Sequence, residues 1–344
     1  MSNALQQLRE HGQSPWIDFI TRDFVREGQL ARLVDDGIVG LTSNPTIFQE
    51  AISKGESYDD QLRQLLETER DPRDIFFQLA REDIRGACDI FRPVFDRGEA
   101  TRDGWVSLEV DPELANDAAA TATEALSLYE MVARPNLFVK IPGTKAGLSA
   151  IEDTIASGIP VNVTLLFSLE RHREAAEAYL RGLYRLRDRD GDLSMVASVA
   201  SFFVSRVDTE ADKRLDQIGG HDELKGTLAI ANAKLAYQTY KQVFTGSEWD
   251  DLRRLGASPQ RCLWASTSTK NPAYRDVLYV EELIGPETVN TMPPATIDAF
   301  AAAGIDYDDV VEVLEREGVE KFATSFRELI DGVAGKREQL AAAS

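Results

Sequence analysis

The chain has 344 residues, of which 43% are hydrophobic and 28% charged, and 38 Lys and Arg against 58 Asp and Glu leave a formal net charge of -20. This is the composition of a soluble globular protein, with too many apolar residues for a disordered chain and too little Gly and Pro for a low-complexity one. It excludes nonspecific nucleic-acid binding and a polybasic membrane anchor, which need an excess of Lys and Arg, but leaves room for a small anionic substrate held by one local group of cations.

Residues 1–13 are polar and hold no signal-peptide core, and no run approaches the ~20 apolar residues of a membrane span, so the expected location is cytoplasmic. The first β-rich runs are residues 14–19 (SPWIDF) and 38–43 (IVGLTS). A helical insertion, about 45–100, follows: Leu62, Leu65, Leu66, Ile75, Phe76, Leu79, Ile84, Ala87 and Cys88 fall at helical spacing, enough for two or three helices. Three further runs are 105–110 (WVSLEV), 137–142 (LFVKIP) and 161–167 (VNVTLLF). Ser168 then reads as the N-cap of an amphipathic helix carrying Ala176, Tyr179, Leu180, Leu183 and Leu186. The last runs are 195–203 (MVASVASFF), 262–266 (CLWAS) and 289–292 (VNTM), before a helical tail, about 305–344, with Val311, Leu314, Phe322, Phe326 and Leu329.

Several runs are nearly continuous in apolar character, as suits parallel strands covered on both faces. Alternating β and α segments without a linker predict a single α/β domain over 1–344, and the number of runs favours a (β/α)8 TIM barrel over a doubly wound sheet. Two cysteines, Cys88 and Cys262, are too few for a disulfide framework and read as buried, inert thiols.

The common nucleotide and metal signatures are missing. No G-x-G-x-x-G follows a strand, and residues 143–147 (GTKAG) lack the Walker spacing. Residues 188–192 (DRDGD) resemble a calcium loop but misplace the glycine and lack the closing Glu, which makes them a solvated turn. His11, His172 and His221 are far apart and none ends a strand, against both a zinc site and a His-based triad.

In a barrel the catalytic side chains project from the C-terminal ends of the strands. The polar residues at those places are Asp18, Thr42 with Asn44, Glu109, Lys140, Thr164, Ser201 and Arg206. Lys140 interrupts an apolar stretch, where lost hydration would lower its pKa and make it a nucleophile for a carbonyl carbon. The plainer reading turns it outward to snorkel between helices. Glu109 and Asp18 could each be a surface partner for an arginine, yet two carboxylates and a lysine together can run carbinolamine dehydration and C–C cleavage without a metal. Thr164 is either a β-former or a group that orients water, and Arg206 either a solvated charge or the grip for an anionic tail.

Six motifs taken together resemble the transaldolases, specifically the actinobacterial-type branch of the monofunctional enzymes. They are GLTSNPTIF (40–48), VSLEVDPELA (106–115), NLFVKIPGT (136–144), VNVTLLFS (161–168), ASFFVSRVD (200–208) and ASTSTKNP (265–272). The resemblance implies a class I aldolase-like barrel that moves a dihydroxyacetone unit between sugar phosphates in the non-oxidative pentose phosphate pathway, with no metal or organic cofactor. It makes Lys140 the Schiff-base lysine, Glu109 the glutamate acting through a water, Thr164 the threonine that orients this water, and Asp18 the aspartate exchanging a proton with the C4 hydroxyl. Asn44, with Thr42 beside it, would hold the donor's hydroxyls, and Ser201, Phe203 and Arg206 fit S-x-F-x-x-R, whose Ser and Arg bind substrate and phosphate. Ser205 stands where many relatives carry glycine, and Lys270 and Arg261 are the candidates for a second phosphate-binding cation. The rivals are a fructose-6-phosphate aldolase of the same fold and, from another class, a noncatalytic acidic barrel used as a binding protein. The expected partners are phosphorylated sugars, with no nucleic acid and no membrane, and the chain could be a monomer or a homodimer.

Overall fold

The β-rich runs become parallel strands in the computed structural model, which describes residues 3–54, 56–68, 71–97 and 103–303. They are β1 (Gln13–Asp18), β2 (Gly40–Thr42), β3 (Val106–Glu109), β4 (Leu137–Pro142), β5 (Val161–Leu166), β6 (Ser198–Phe203), β7 (Arg261–Ala265) and β8 (Thr288–Met292). Each pairs in parallel with the next, and β1 pairs with β8, so the sheet closes into a (β/α)8 barrel and the doubly wound alternative is excluded. Contacts divide the chain after Ala301, and the barrel belongs to the first unit, Met1–Ala301. The expected helical tail, about 305–344, lies outside the described residues.

Helices cover the outer face of the barrel. Alternation along β4 sends Phe138 and Lys140 inward, while Leu137, Val139 and Ile141, all without solvent exposure, pack beneath the helices Ala118–Val132 and Gly147–Ala156. The helix Leu169–Arg187 starts where the sequence places its cap, with the Arg171 N–H donating to Ser168 Oγ at 3.2 Å. Between β2 and β3 the described residues form three α-helices, Pro45–Lys54, Asp59–Thr68 and Pro72–Asp96. The last of these begins at Asp71, whose carboxylate accepts the Arg73 N–H at 2.9 Å, with Pro72 in the first helical position, where its missing N–H costs nothing. Asn136 ties that helix to the sheet, its Nδ2 donating to the carbonyls of Cys88 at 2.9 Å and Gly104 at 2.8 Å. The 188–192 segment is a mostly exposed turn, and Asp192 caps the short 3-10 turn Leu193–Met195, so β6 starts at Ser198 rather than at Met195. Both cysteines are free and buried, and burial pushes each thiol up. Among the described residues, no helix is long and apolar enough to cross a membrane.

The barrel interior is layered. At the N-terminal floor, Arg261 pairs with Asp103 at 3.1 Å and donates to Ser14 Oγ at 2.5 Å and the Thr288 carbonyl at 2.8 Å. Above it lies an aromatic layer in which Phe138 stacks on Trp105 and Trp16, with ring centroids 4.1 and 6.2 Å apart. Gly40 admits the Trp16 indole, since a Cβ at that position would fall 2.4 Å from the ring. The third layer, at the C-terminal mouth, is polar.

Candidate active site

The mouth holds a cavity of about 890 Å³, lined by Asp18, Thr42, Glu109, Lys140, Thr164 and Ser201 from successive strands, with Phe203 at the end of β6 and Asn44, Arg206 and Lys270 from the loops and helices beyond. Its size falls in the ~300–1,000 Å³ range of small-molecule sites. The candidate catalytic and substrate-binding residues therefore share one surface, apart from Arg261. That arginine opens β7 at the opposite end of the barrel and is consumed by the floor network, so it cannot serve as the second phosphate cation.

Lys140 points inward and is buried, which excludes the snorkelling alternative. Its apolar neighbours Val139 and Ile141 face the helices, but the ammonium itself is not in apolar surroundings. Nζ lies 3.0 Å from Glu109 Oε2 and donates to the Ser43 carbonyl at 3.0 Å. Register produces this pairing, because Glu109 and Lys140 are direct partners across β3 and β4. The carbonyl is fixed in turn by Ser43 Oγ, which donates to the Ser107 carbonyl at 2.7 Å.

Asp18 ends β1 opposite Thr42, the last residue of β2. Burial raises its carboxyl above the usual 3.8, with Glu109 adding to the rise, against Lys140, the Asn44 hydrogen bond and Lys270, which lower it. Asn44 has two engagements: Nδ2 reaches Asp18 Oδ1 at 3.4 Å, and Oδ1 accepts the Ile47 N–H at 3.1 Å, starting the helix Pro45–Lys54. Thr42 Oγ1 is buried with no hydrogen-bond partner among the described residues.

On the other side of Lys140, Ser201 Oγ donates to Asn162 Oδ1 at 2.7 Å, and Asn162 Nδ2 donates to Ser107 Oγ at 3.0 Å. Asn162 was not singled out from the sequence, although it stands two places before Thr164 and so shares its face of β5. It is also the direct register partner of Lys140. Thr164 is buried against the cavity, and its carbonyl accepts the Gly143 N–H at 2.7 Å. The next residue, Leu165, has φ 59, in the left-handed region that a leucine rarely adopts, where the register of β5 and β6 shifts.

The phosphate candidates lie further out. The Arg206 guanidinium sits over the Phe203 ring at 4.9 Å, and Phe203 packs on Phe167 at 5.1 Å. Lys270 is exposed and donates to Ser268 Oγ at 2.8 Å. Ser205 starts the helix Ser205–Ile218 without a left-handed backbone, and its hydroxyl meets that of Ser266 at 2.9 Å. None of the three histidines lines this cavity, and burial holds the His172 imidazole at about 4, assisted by Arg173. Among the described residues, no group of three or more His, Cys, Asp or Glu could hold a metal ion.

Residues 15–333 match the family described as transaldolase/fructose-6-phosphate aldolase. Proteins named transaldolase from Saccharopolyspora erythraea and Acidothermus cellulolyticus are 48% and 49% identical, each alignment covering 98% of this chain and 98% of the relative. A transaldolase from Parafrankia sp. is 48% identical over 100% of both chains.

Proposed function

The chain belongs to the transaldolase/fructose-6-phosphate aldolase family, and from that premise we propose that it is a transaldolase of the non-oxidative pentose phosphate pathway. It moves a dihydroxyacetone unit from sedoheptulose 7-phosphate or fructose 6-phosphate to glyceraldehyde 3-phosphate or erythrose 4-phosphate. The observation that carries this reading is the buried contact of 3.0 Å between Lys140 Nζ and Glu109 Oε2, in the same layer as Asp18.

Lys140 gives a proton to Glu109, and the neutral amine attacks C2 of the ketose. Glu109 returns the proton through a water steered by Thr164, so the C2 oxygen departs as water and an iminium forms. Asp18 takes the proton of the C4 hydroxyl, the C3–C4 electrons flow into the iminium to give an enamine, and the aldose phosphate leaves. The enamine then attacks the aldehyde of the second aldose phosphate, Asp18 returns its proton, and hydrolysis frees the new ketose and the lysine. Thr42 and Asn44 hold the hydroxyls of the three-carbon unit, with Ser201 on the opposite side, Phe203 walling the outer cavity, and Arg206 with Lys270 meeting the phosphate. No cofactor enters these steps.

Borohydride added with fructose 6-phosphate should fix a three-carbon unit on Lys140, read by peptide mass spectrometry. A protein that turns over substrate without that adduct would overturn the imine. Free dihydroxyacetone accumulating without an acceptor aldehyde would mark an aldolase instead.

A further inference from the structure

Arg206 and Lys270 come from different elements, the start of the helix Ser205–Ile218 after β6 and the segment after β7. Both side chains are exposed. A phosphate bridging them binds tightly only if their backbones are already held at the right separation, because ordering two segments at the moment of binding subtracts from affinity. The structure ties those segments together at three levels. Next to the cavity, the Ser205 N–H donates to the Ser266 carbonyl at 3.0 Å and the two hydroxyls meet at 2.9 Å. Further along, Asp208 and Asp212 lie four residues apart on the buried face of the helix, away from the exposed Arg206.

Asp208 Oδ2 accepts the Tyr279 hydroxyl at 2.8 Å, and its Oδ1 accepts the Ala229 N–H at 2.7 Å. Asp212 accepts the Tyr274 hydroxyl and, at 3.1 Å, the Gly226 N–H. Tyr274 stands four residues after Lys270, so its hydroxyl anchors the same segment that carries the lysine. Its ring lies flush on Gly226, where an added Cβ would come within 2.9 Å of it and the backbone φ is +71. The carboxylate of Asp212 thus joins the Arg206 helix, the connection that follows it and the Lys270 segment.

We infer that Tyr274, through Asp212, is a positioning residue that fixes the separation of Arg206 and Lys270 and thereby sets the preference for phosphorylated over unphosphorylated substrates. The inference rests on reading those two cations as the phosphate grip. Tyr274 does not line the cavity, and its effect is confined to the part of binding that the phosphate supplies.

The test is Tyr274→Phe, which keeps the ring and removes the hydroxyl. The KM for fructose 6-phosphate and the inhibition constant of inorganic phosphate should rise roughly ten- to a hundredfold, as for one hydrogen bond to a charged group. The limiting kcat, and kcat/KM for unphosphorylated D-fructose, should stay as in the parent protein. Asp212→Ala should reproduce the loss, and Asp212→Asn, which can still pair with Tyr274, should restore much of it. Equal losses with fructose and fructose 6-phosphate, or an unchanged phosphate constant in Tyr274→Phe, would overturn the inference. Thermal stabilisation by inorganic phosphate separates the two readings. A parent protein that is stabilised by phosphate more than Tyr274→Phe, yet forms no imine, retains the anion grip and loses the transaldolase assignment.

Discussion

Burial outweighs the lysines and the Asn44 amide around Asp18, so its carboxyl titrates above the usual 3.8. The folded protein therefore binds that proton more tightly than the unfolded chain. Its contribution to stability is full below the unfolded value and is lost as pH rises through the folded one, so the cost of burying this carboxyl grows with pH above 3.8. Asp18→Asn should raise Tm at pH 7, with the gap closing as pH falls towards 3.8, and should abolish C–C cleavage while borohydride still traps the intact donor on Lys140. A variant less stable than the parent at pH 7 would contradict the sign. Asp18, Glu109 and Lys140 are legible in the sequence because each breaks an apolar run at one polar position. Arg261 is not, because its partners Asp103 and Ser14 lie 158 and 247 positions away, and only their convergence at the floor shows what the guanidinium does. Asn162 escapes for a different reason: an asparagine in a strand is conspicuous only once Lys140 is known to be its register partner.

At the scale of elements, what can be read is what short-range chemistry decides. Ser168 announces the helix Leu169–Arg187 because its hydroxyl replaces a partner that the first turn lacks. Ser168→Ala should lower stability by about 1 kcal/mol in urea unfolding, with kcat unchanged, since this helix packs outside the barrel. A loss of activity without a loss of stability would assign Ser168 to the site instead. The 137–142 run becomes β4 without a shift of boundary, whereas the 195–203 run loses its first residues to a turn that Asp192 caps, and 38–43 shrinks to three strand residues. In the first case a local turn takes over the backbone, a competition that hydrophobicity alone does not register, whereas Val39 still donates across the sheet to the Pro15 carbonyl at 2.9 Å although it lies outside β2. The three helices between β2 and β3 are visible as periodicity, but not the way the last is pinned by Asn136 to Cys88 and Gly104.

For the whole molecule, the net charge of -20 says little about the ligand, because much of the acid is exposed on the outer helices. Examples are Asp59 and Asp60 beside Arg63, and Glu210 beside Arg214, solvated pairs that contribute little to stability. The Arg261–Asp103 pair at the floor is a different case, since both partners are less than a tenth exposed. Asp103→Ala would leave a buried guanidinium without its counter-ion and should cost about 3–5 kcal/mol in denaturant unfolding. The aromatic layer separates this network from the mouth, so kcat per folded molecule should not change. A kcat that falls in step with stability would show that floor and mouth are coupled.

That layer also gives the protein a built-in optical gauge. The Trp16 indole lies on the same strand and face as Asp18, two residues below it, and its N–H has no partner among the described residues. Indole emission responds to the local electric field, and consumption of the Lys140 charge or protonation of Asp18 alters that field directly above the ring. Intrinsic fluorescence, recorded in a stopped-flow instrument without any label, should follow each turnover from inside the barrel.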